Sequence, residues 1–345
     1  MNQTPLKRGL LTKISLLGAL LATGLTLVQP AHAQNKINVG VLRLTSHSPV
    51  YIAFEKGYFK QAGFEVELKY FQASAAMAVA VAGKDVDYGT TSITGGLVNL
   101  AEKGAVKVIG GALAEEPGVP GAVILASNQA FDQGLTSPSK LGGRTFGTTT
   151  AGSSFHYMLS RIAAGENIDM GQITMKPLQK LGALVGAISS GQIDAWVIQP
   201  SVAGKLLAEG KAKKIGDFSR YDPNYQVTVT FTSAERASQQ RAQTQAFMQA
   251  LAKGVADYNA AFVDKKMPAS ETSAMIKMIH KYINVDSPEE TLAKSLMEGS
   301  MRINEGLALS LESIKAQLQW MQQEKMVNDN VTIDVLVDKS YVKSL

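Results

Sequence analysis

The run Leu100-Ala101-Glu102-Lys103-Gly104-Ala105-Val106-Lys107-Val108 returns 107 positions later as Leu207-Ala208-Glu209-Gly210-Lys211-Ala212-Lys213-Lys214-Ile215, so the chain carries one half twice. At the same offset Asp87 meets Asp194, Gly40 meets Gly147 and Ser46 meets Ser153, all within segments that read strand, polar loop, helix. The match is degenerate, with Lys103 facing Gly210 and Gly83 facing Ser190. It arises either from an old duplication or from two units converging on one supersecondary pattern. Both origins give two similar α/β lobes with a cleft between them, a common seat for a small ligand.

Residues 37–44 form a short β-branched run, followed by a polar loop and a helical pattern at residues 50–61 that Gly63 ends. A strand at residues 64–70, an Ala/Val-rich helix at 75–82 and the strand signal Val86-Asp87-Tyr88-Gly89 complete the first set. The second set repeats the order, with strands at residues 144–148, 173–178 and 193–197 and helices at 155–164 and 182–189. Strands alternating with helices imply a mainly parallel sheet in each lobe. The β-rich segments at residues 122–127 and 227–232 bracket the second set and read as the two crossings between lobes. Residues 234–326 are dominated by helical patterns and are expected to pack back onto the first lobe. The division is therefore residues 34–122 with 230–345 as one lobe and 123–229 as the other.

Residues 1–33 have a separate character. Lys7, Arg8 and Lys13 precede an apolar stretch at residues 14–28, and Ala31-His32-Ala33 forms a cleavage pattern before Gln34. This is the layout of a secretory signal peptide. Gly18, Thr23, Gly24 and Thr26 interrupt the stretch, and a membrane span needs about 20 strongly apolar residues. The chain contains no cysteine, which excludes disulfides, thiolate metal sites, a cysteine nucleophile and a lipid anchor on an N-terminal cysteine. An unanchored exported carrier of a captured solute needs a second membrane to retain it, which points to a Gram-negative periplasm. Of 34 basic and 29 acidic residues, three basic ones lie in the signal, so the mature chain is nearly neutral. It has no dense Lys/Arg cluster of the kind that binds nucleic acid.

Three loops, at residues 45–49, 90–96 and 148–154, are rich in hydroxyls or small residues, and each precedes a helix. A helix N-terminus has unpaired N–H groups and the positive end of the helix dipole, so it can hold an oxyanion without an arginine. Thr91, Ser92, Ser153 and Ser154 add side-chain donors, and Gly95, Gly96 and Gly152 allow close backbone approach. In any single loop these residues can be ordinary N-caps; three such loops at strand ends favour the anion cradle. His47 and His156 lie in or beside two of the loops, each either a donor to an anion or an ordinary side chain.

Asp87 and Asp194 each precede a short strand after a Gly-containing turn, which suits backbone capping better than paired-carboxylate chemistry. Ser153 with His156 three residues on has the residue types of a nucleophile and base, but it lacks a G-x-S-x-G elbow. The histidines form no H-x-x-x-H metal motif, and G-x-x-x-x-G-K-[ST] is absent. No metal and no cofactor is expected. Trp196, inside a strand pattern, reads as core.

The segment Ser48-Pro49-Val50-Tyr51-Ile52-Ala53-Phe54-Glu55-Lys56-Gly57-Tyr58-Phe59-Lys60 with Gly63-Phe64-Glu65-Val66-Glu67-Leu68 resembles the start of mature solute-binding proteins of the nitrate, sulfonate, taurine and pyrimidine-precursor type, which serve ABC importers. Gly83-Lys84-Asp85-Val86-Asp87-Tyr88-Gly89, Leu141-Gly142-Gly143-Arg144, Ala151-Gly152-Ser153-Ser154 and Gly191-Gln192-Ile193-Asp194-Ala195-Trp196 continue the resemblance over nearly all of residues 37–262. It implies an α/β chain of type II periplasmic-binding fold, two lobes joined by two crossover segments with the ligand cleft between them. Carried over by position, Ser46, His47, Ser48, Thr91, Ser92, Gly152, Ser153, Ser154, His156, Gln199 and Ser201 are the expected ligand contacts. Phe155, Tyr157 or Tyr225 is expected against the ligand's organic part.

After Asp194-Ala195-Trp196, where sulfonate-binding relatives often carry an aromatic-acidic stretch, this chain has Val197-Ile198-Gln199-Pro200-Ser201. The expected ligand is thus a small organic anion, a sulfonate or an aromatic or aliphatic carboxylate. A related branch makes a thiamine pyrimidine with a cysteine-rich motif that this chain cannot have. The resulting expectation is a monomeric periplasmic binding protein, not an enzyme, which closes over its anion by a hinge and delivers it to the transmembrane subunits of an ABC permease. The alternatives are a ligand-gated periplasmic sensor and a secreted hydrolase using Ser153 and His156.

Overall fold

The computed structural model describes residues 35–345; the expected signal peptide lies outside the described residues. Two five-stranded sheets are built in the same order. From edge to edge the first runs Phe64–Phe71, Asn35–Leu42, Tyr88–Ser92, Thr228–Ser233, Val106–Gly111. The second runs Thr174–Pro177, Thr145–Thr148, Ala195–Ile198, Val123–Ser127, Ala212–Asp217. In each sheet the first three strands are parallel and the fourth is antiparallel to both neighbours.

The sequence repeat is also a repeat of register. Asn38 pairs with Glu67 and Val39 with Tyr88 in the first sheet; Thr145 pairs with Thr174 and Phe146 with Ala195 in the second, each residue 107 positions on. The packing behind the strands repeats as well. A Cβ on Gly40 would meet Met77 and Val86, and one on Gly147 would meet Leu184 and Ile193, their counterparts in the other half. Glycine persists at both positions because a helix side chain occupies the space. The strands at the sheet centres, Tyr88–Ser92, Val123–Ser127 and Ala195–Ile198, are buried along their whole length. This accounts for their continuous apolar or small composition, whereas edge strand Phe64–Phe71 exposes Glu65 and Glu67.

Two sequence expectations need correction. The β-rich segments read as crossings are themselves sheet strands. Val123–Ser127 is the fourth strand of the second sheet, and Thr228–Ser233 is the fourth strand of the first. The chain passes between sheets at residues 115–122 and 218–227, where the Glu115 N–H donates to the Tyr225 carbonyl at 2.9 Å. The helical final quarter also does more than cover the first sheet. Helix Arg241–Tyr258 lies against Ser48–Glu55, close enough that a Cβ on Gly254 would stand 2.3 Å from the Pro49 carbonyl oxygen. Helix Glu289–Gly299, however, packs on Pro200–Ala208, with Gly299 against Ser201, and Trp320 lies edge-on to Tyr157 at 5.3 Å. Small and aromatic residues thus tie this quarter to both halves.

Candidate functional site

A cavity of about 80 Å³ lies beyond the carboxyl ends of the parallel strands, between residues of the two sheets and their helices. Open α/β sheets bind ligands in this position. Six helix starts reach it: Ser46 and His47 before Ser48–Glu55, Ser74 of Ser74–Ala82, Thr94 before Gly95–Glu102, Ser153 and Ser154 at Ser154–Gly165, Leu181 of Leu181–Ser190, and Gln199 before Pro200–Ala208. Each helix has at least eight residues, so each brings aligned dipoles to its end, although some first-turn N–H groups are already met, that of Leu97 by Thr94 Oγ1 and that of Gly95 by the Gly152 carbonyl. Among the described residues no lysine, arginine, aspartate or glutamate lines the cavity. The rest of its wall mixes the hydroxyl residues Thr91, Ser92, Thr149, Thr150 and Thr228 with apolar ones, Leu42, Leu44, Phe155, Met158, Ile198 and Met301 among them.

His47 is neutral in this setting. Burial lowers its pKa to about 4, against the opposing effect of a hydrogen bond to the Thr90 carbonyl. Nε2 lies 3.1 Å from that carbonyl and therefore carries the proton, which leaves Nδ1, 3.4 Å from Ser46 Oγ, as acceptor. Thr91 Oγ1 is buried, belongs to a lining residue and has no hydrogen-bond partner among the described residues. An unpaired hydroxyl in such a place costs stability unless a ligand satisfies it.

Seven of the eleven expected contacts line this cavity: Ser46, His47, Thr91, Ser92, Ser153, Ser154 and Gln199. The other four are placed elsewhere. Ser48 is fully buried one residue inside its helix, and Ser201 Oγ accepts a hydrogen bond from Thr45 Oγ1 at 2.7 Å on the far side of Gln199. Gly152, at φ +69°, donates its N–H to His156 Nδ1 at 3.1 Å, while its carbonyl accepts from Gly95 N–H at 3.1 Å. His156 lies against Trp320 with ring centroids 5.1 Å apart, and burial lowers its pKa. Its ring nitrogen is engaged by Gly152, and Ser153 Oγ accepts the His156 backbone N–H at 3.4 Å as an N-cap. Ser153 and the imidazole thus form no nucleophile–base pair.

Of the three aromatic candidates only Phe155 reaches the cavity. Tyr157 and Tyr225 stack on each other at 4.9 Å, and Tyr157 donates to Asp222 at 2.8 Å. Thr94, Thr149 and Thr150 lie within the loops at residues 90–96 and 148–154 but are not among the expected contacts, and Ser74 lies outside all three loops. Ser74 carries the same signal as those loops, a hydroxyl just after a strand and before a helix. The apolar lining carried none, because Leu42, Met158 and Met301 come from unrelated parts of the chain.

Residues 44–261 match the family described as NMT1/THI5 like. The chain belongs to this family. No curated protein matches it. Among solved structures it is similar to the alkanesulfonate-binding protein SsuA of Xanthomonas axonopodis pv. citri bound to MOPS, at 18% identity and TM-score 0.70, over 88% of this chain and 98% of that one. It is similar to the periplasmic aliphatic sulphonate-binding protein SsuA of Escherichia coli, at 17% identity and TM-score 0.67, over 90% and 94%. It is also similar to the periplasmic nitrate-binding protein NrtA of Synechocystis PCC 6803, at 13% identity and TM-score 0.69, over 89% and 87%. At these identities the likeness establishes a shared fold, the two-lobed α/β periplasmic-binding fold that the sequence motifs imply.

Proposed function

We propose that this NMT1/THI5-like chain is an exported solute-binding protein of the ABC-import type, which captures a monovalent organic anion with a compact apolar part and hands it to a permease. The observation that carries this reading is the convergence of six helix N-termini on a cavity lined by no charged side chain among the described residues. An anion placed there gains roughly 0.3–1 kcal/mol per helix end, more where the geometry is dry. The structural relatives, which include sulfonate- and nitrate-binding proteins, support the same class of ligand. The unpaired Thr91 hydroxyl and neutral His47 suit it too.

The missing charges set the expected selectivity. A zwitterion such as taurine would bury its ammonium with no carboxylate to meet it, and a dianion would bury a second charge with no cation. Closure would proceed by population shift, because a ligand touching both sheets' loops favours the closed arrangement. Bonds that already cross the cleft, Gly95 to Gly152 and Thr45 to Ser201, are the contacts such closure makes.

A thermal-shift panel of ethanesulfonate, butanesulfonate, taurine, nitrate, acetate and benzoate tests the reading, since a ligand specific for the folded state raises the melting temperature. Organic monoanions are expected to raise it and to be recovered chemically unchanged, with taurine silent. Silence with every anion, or turnover of the one that binds, overturns the proposal.

A further inference from the structure

An uncharged cleft has a physical weakness. Helix-end dipoles act at short range, so such a site does little to attract an anion from solution. Next to it lies a second, larger cavity of about 330 Å³ with the opposite character. The two cavities share Leu44 and Gln199. The partition between them is a hydrogen-bonded group, in which Thr45 Oγ1 donates to Ser201 Oγ at 2.7 Å and accepts from Gln199 Nε2 at 3.4 Å.

Three cations, Arg43, Lys205 and Lys211, and one carboxylate, Glu209, line the second cavity. Glu209 is held by Lys211 at 2.7 Å and only reaches Lys205 at 4.0 Å. Arg43 has no carboxylate partner among the described residues. Its guanidinium is held in place by donating to the Tyr282 carbonyl at 2.7 Å and by lying 4.1 Å over the Tyr70 ring. A guanidinium oriented by an aromatic face and a carbonyl keeps donors in reserve for an oxyanion. One carboxylate against three cations leaves the cavity with an excess of positive charge.

We propose that this second cavity is an anion-binding site in its own right, taking the sulfonate or carboxylate group of a small organic anion beside the cleft. It deepens the anion-binding reading above and rests on it for its biological sense, though not for its test. The site raises the local anion concentration one hydrogen-bonded partition away from the cradle, which separates long-range attraction from short-range selection.

The test is an amide-resolved NMR titration of the chain with ethanesulfonate, at low and high salt. The amides of Lys205, Leu206 and Asn284 are expected to shift saturably at low salt and to lose that response at high salt, as screening requires. In the double variant Lys205→Gln/Lys211→Gln, whose side chains are solvent-exposed in the native chain, the response at these amides is expected to vanish. The cleft amides of Thr91 and Ser154 should still respond. Silence at the second cavity, or shifts there that survive the double substitution, overturns the second site whatever the cleft does. Silence confined to the cleft amides counts against the proposed function and leaves the second site supported.

Discussion

Asp87 and Asp194 make the same bond in the two halves: each accepts a backbone N–H 49 residues earlier in the chain, from Asn38 and Thr145 respectively, at 2.7 Å. Both return a backbone bond, since Asp87 N–H donates to the Asn38 carbonyl and Asp194 N–H to that of Thr145. The aspartates therefore tie the second and third strands of each sheet, just before the third strand begins and away from the cavity. Asp87 is further held by Arg236, and Asp194 also accepts from Thr145 Oγ1 at 2.8 Å.

Replacing Asp194 by alanine is accordingly expected to lower unfolding stability by about 1–3 kcal/mol, the usual cost of leaving such donors unmet. Asp194→Asn keeps an acceptor and should cost less. Urea denaturation measures both, and ligand affinity should stay at the native value, because Asp194 lies away from the lining. A loss of affinity as large as the loss of stability would contradict this assignment.

Thr91 should behave in the reverse way. Its hydroxyl is buried and unpaired among the described residues, so Thr91→Val removes an unsatisfied group and keeps the shape. The ligand-free protein is expected to be as stable as the native one or slightly more so. Affinity for the organic anion found in the thermal-shift panel should fall by about 0.5–1.5 kcal/mol, the worth of one neutral hydrogen bond. Calorimetry paired with thermal denaturation reads both changes, and unchanged affinity would remove Thr91 from the site.

The extent to which this architecture is legible in the sequence follows from the repeat. Gly40 and Gly147, or Asp87 and Asp194, are constrained by the same neighbours in each half and so remain matched. The fourth strand of each sheet is not legible as such. An antiparallel strand buried on both faces, such as Val123–Ser127, has the same composition as a β-rich connection. The lining of the candidate cavity was legible at the helix starts, where hydroxyls signal an end that needs a partner. It was blurred one residue to either side. A step of one residue on a helix turns the side chain by about 100°, enough to send Ser48 into the core and Ser201 toward the second cavity. His156 lies outside the cavity lining for a related reason, since its partners Gly152 and Trp320 are set by tertiary packing.

The crossing between the sheets carries a titratable group. Glu115 is buried, its Oε1 accepts the Ala122 N–H at 2.8 Å, and Oε2 has no partner among the described residues. Burial raises its pKa from 4.5 to about 7, with Asp222 and Asp217 adding to the shift and the Ala122 bond opposing it. The sign follows from linkage. Below pH 4.5 the carboxyl is protonated in both folded and unfolded chains. As pH rises toward 7 the unfolded chain ionises first, so this group's contribution to folded-state stability falls over that window by on the order of 3 kcal/mol and levels off above it, while His47, its pKa lowered by burial, contributes in the opposite sense as pH rises toward 6.5. Glu115→Gln, which keeps an acceptor for Ala122, is expected to make stability rise more steeply with pH over this window than in the native chain. Urea midpoints taken from pH 4.5 to 8 check it, and a variant profile parallel to the native one would exclude Glu115 as the source.

Ligand affinity, by contrast, should be flat from about pH 5.5 to 8 for any anion fully ionised there, since burial lowers the His47 pKa to about 4 and no carboxylate or lysine among the described residues lines the cleft.

The Thr45–Ser201 bond offers a test of closure. Thr45 precedes helix Ser48–Glu55 behind the first sheet, and Ser201 lies in helix Pro200–Ala208 behind the second. On the closure proposed above this bond belongs to the shut cleft, so each partner should favour the closed state by about 0.5–1.5 kcal/mol, roughly two- to tenfold in population. Ser201→Ala and Thr45→Ala are each expected to enlarge the ligand-free radius of gyration in solution scattering and to weaken anion binding. Because one bond serves both residues, the double variant should lose little more than the larger single loss. Full additivity in the double-mutant cycle would mean that the two hydroxyls act independently. In that case closure would depend on other contacts, beginning with the backbone bond from Gly95 to Gly152.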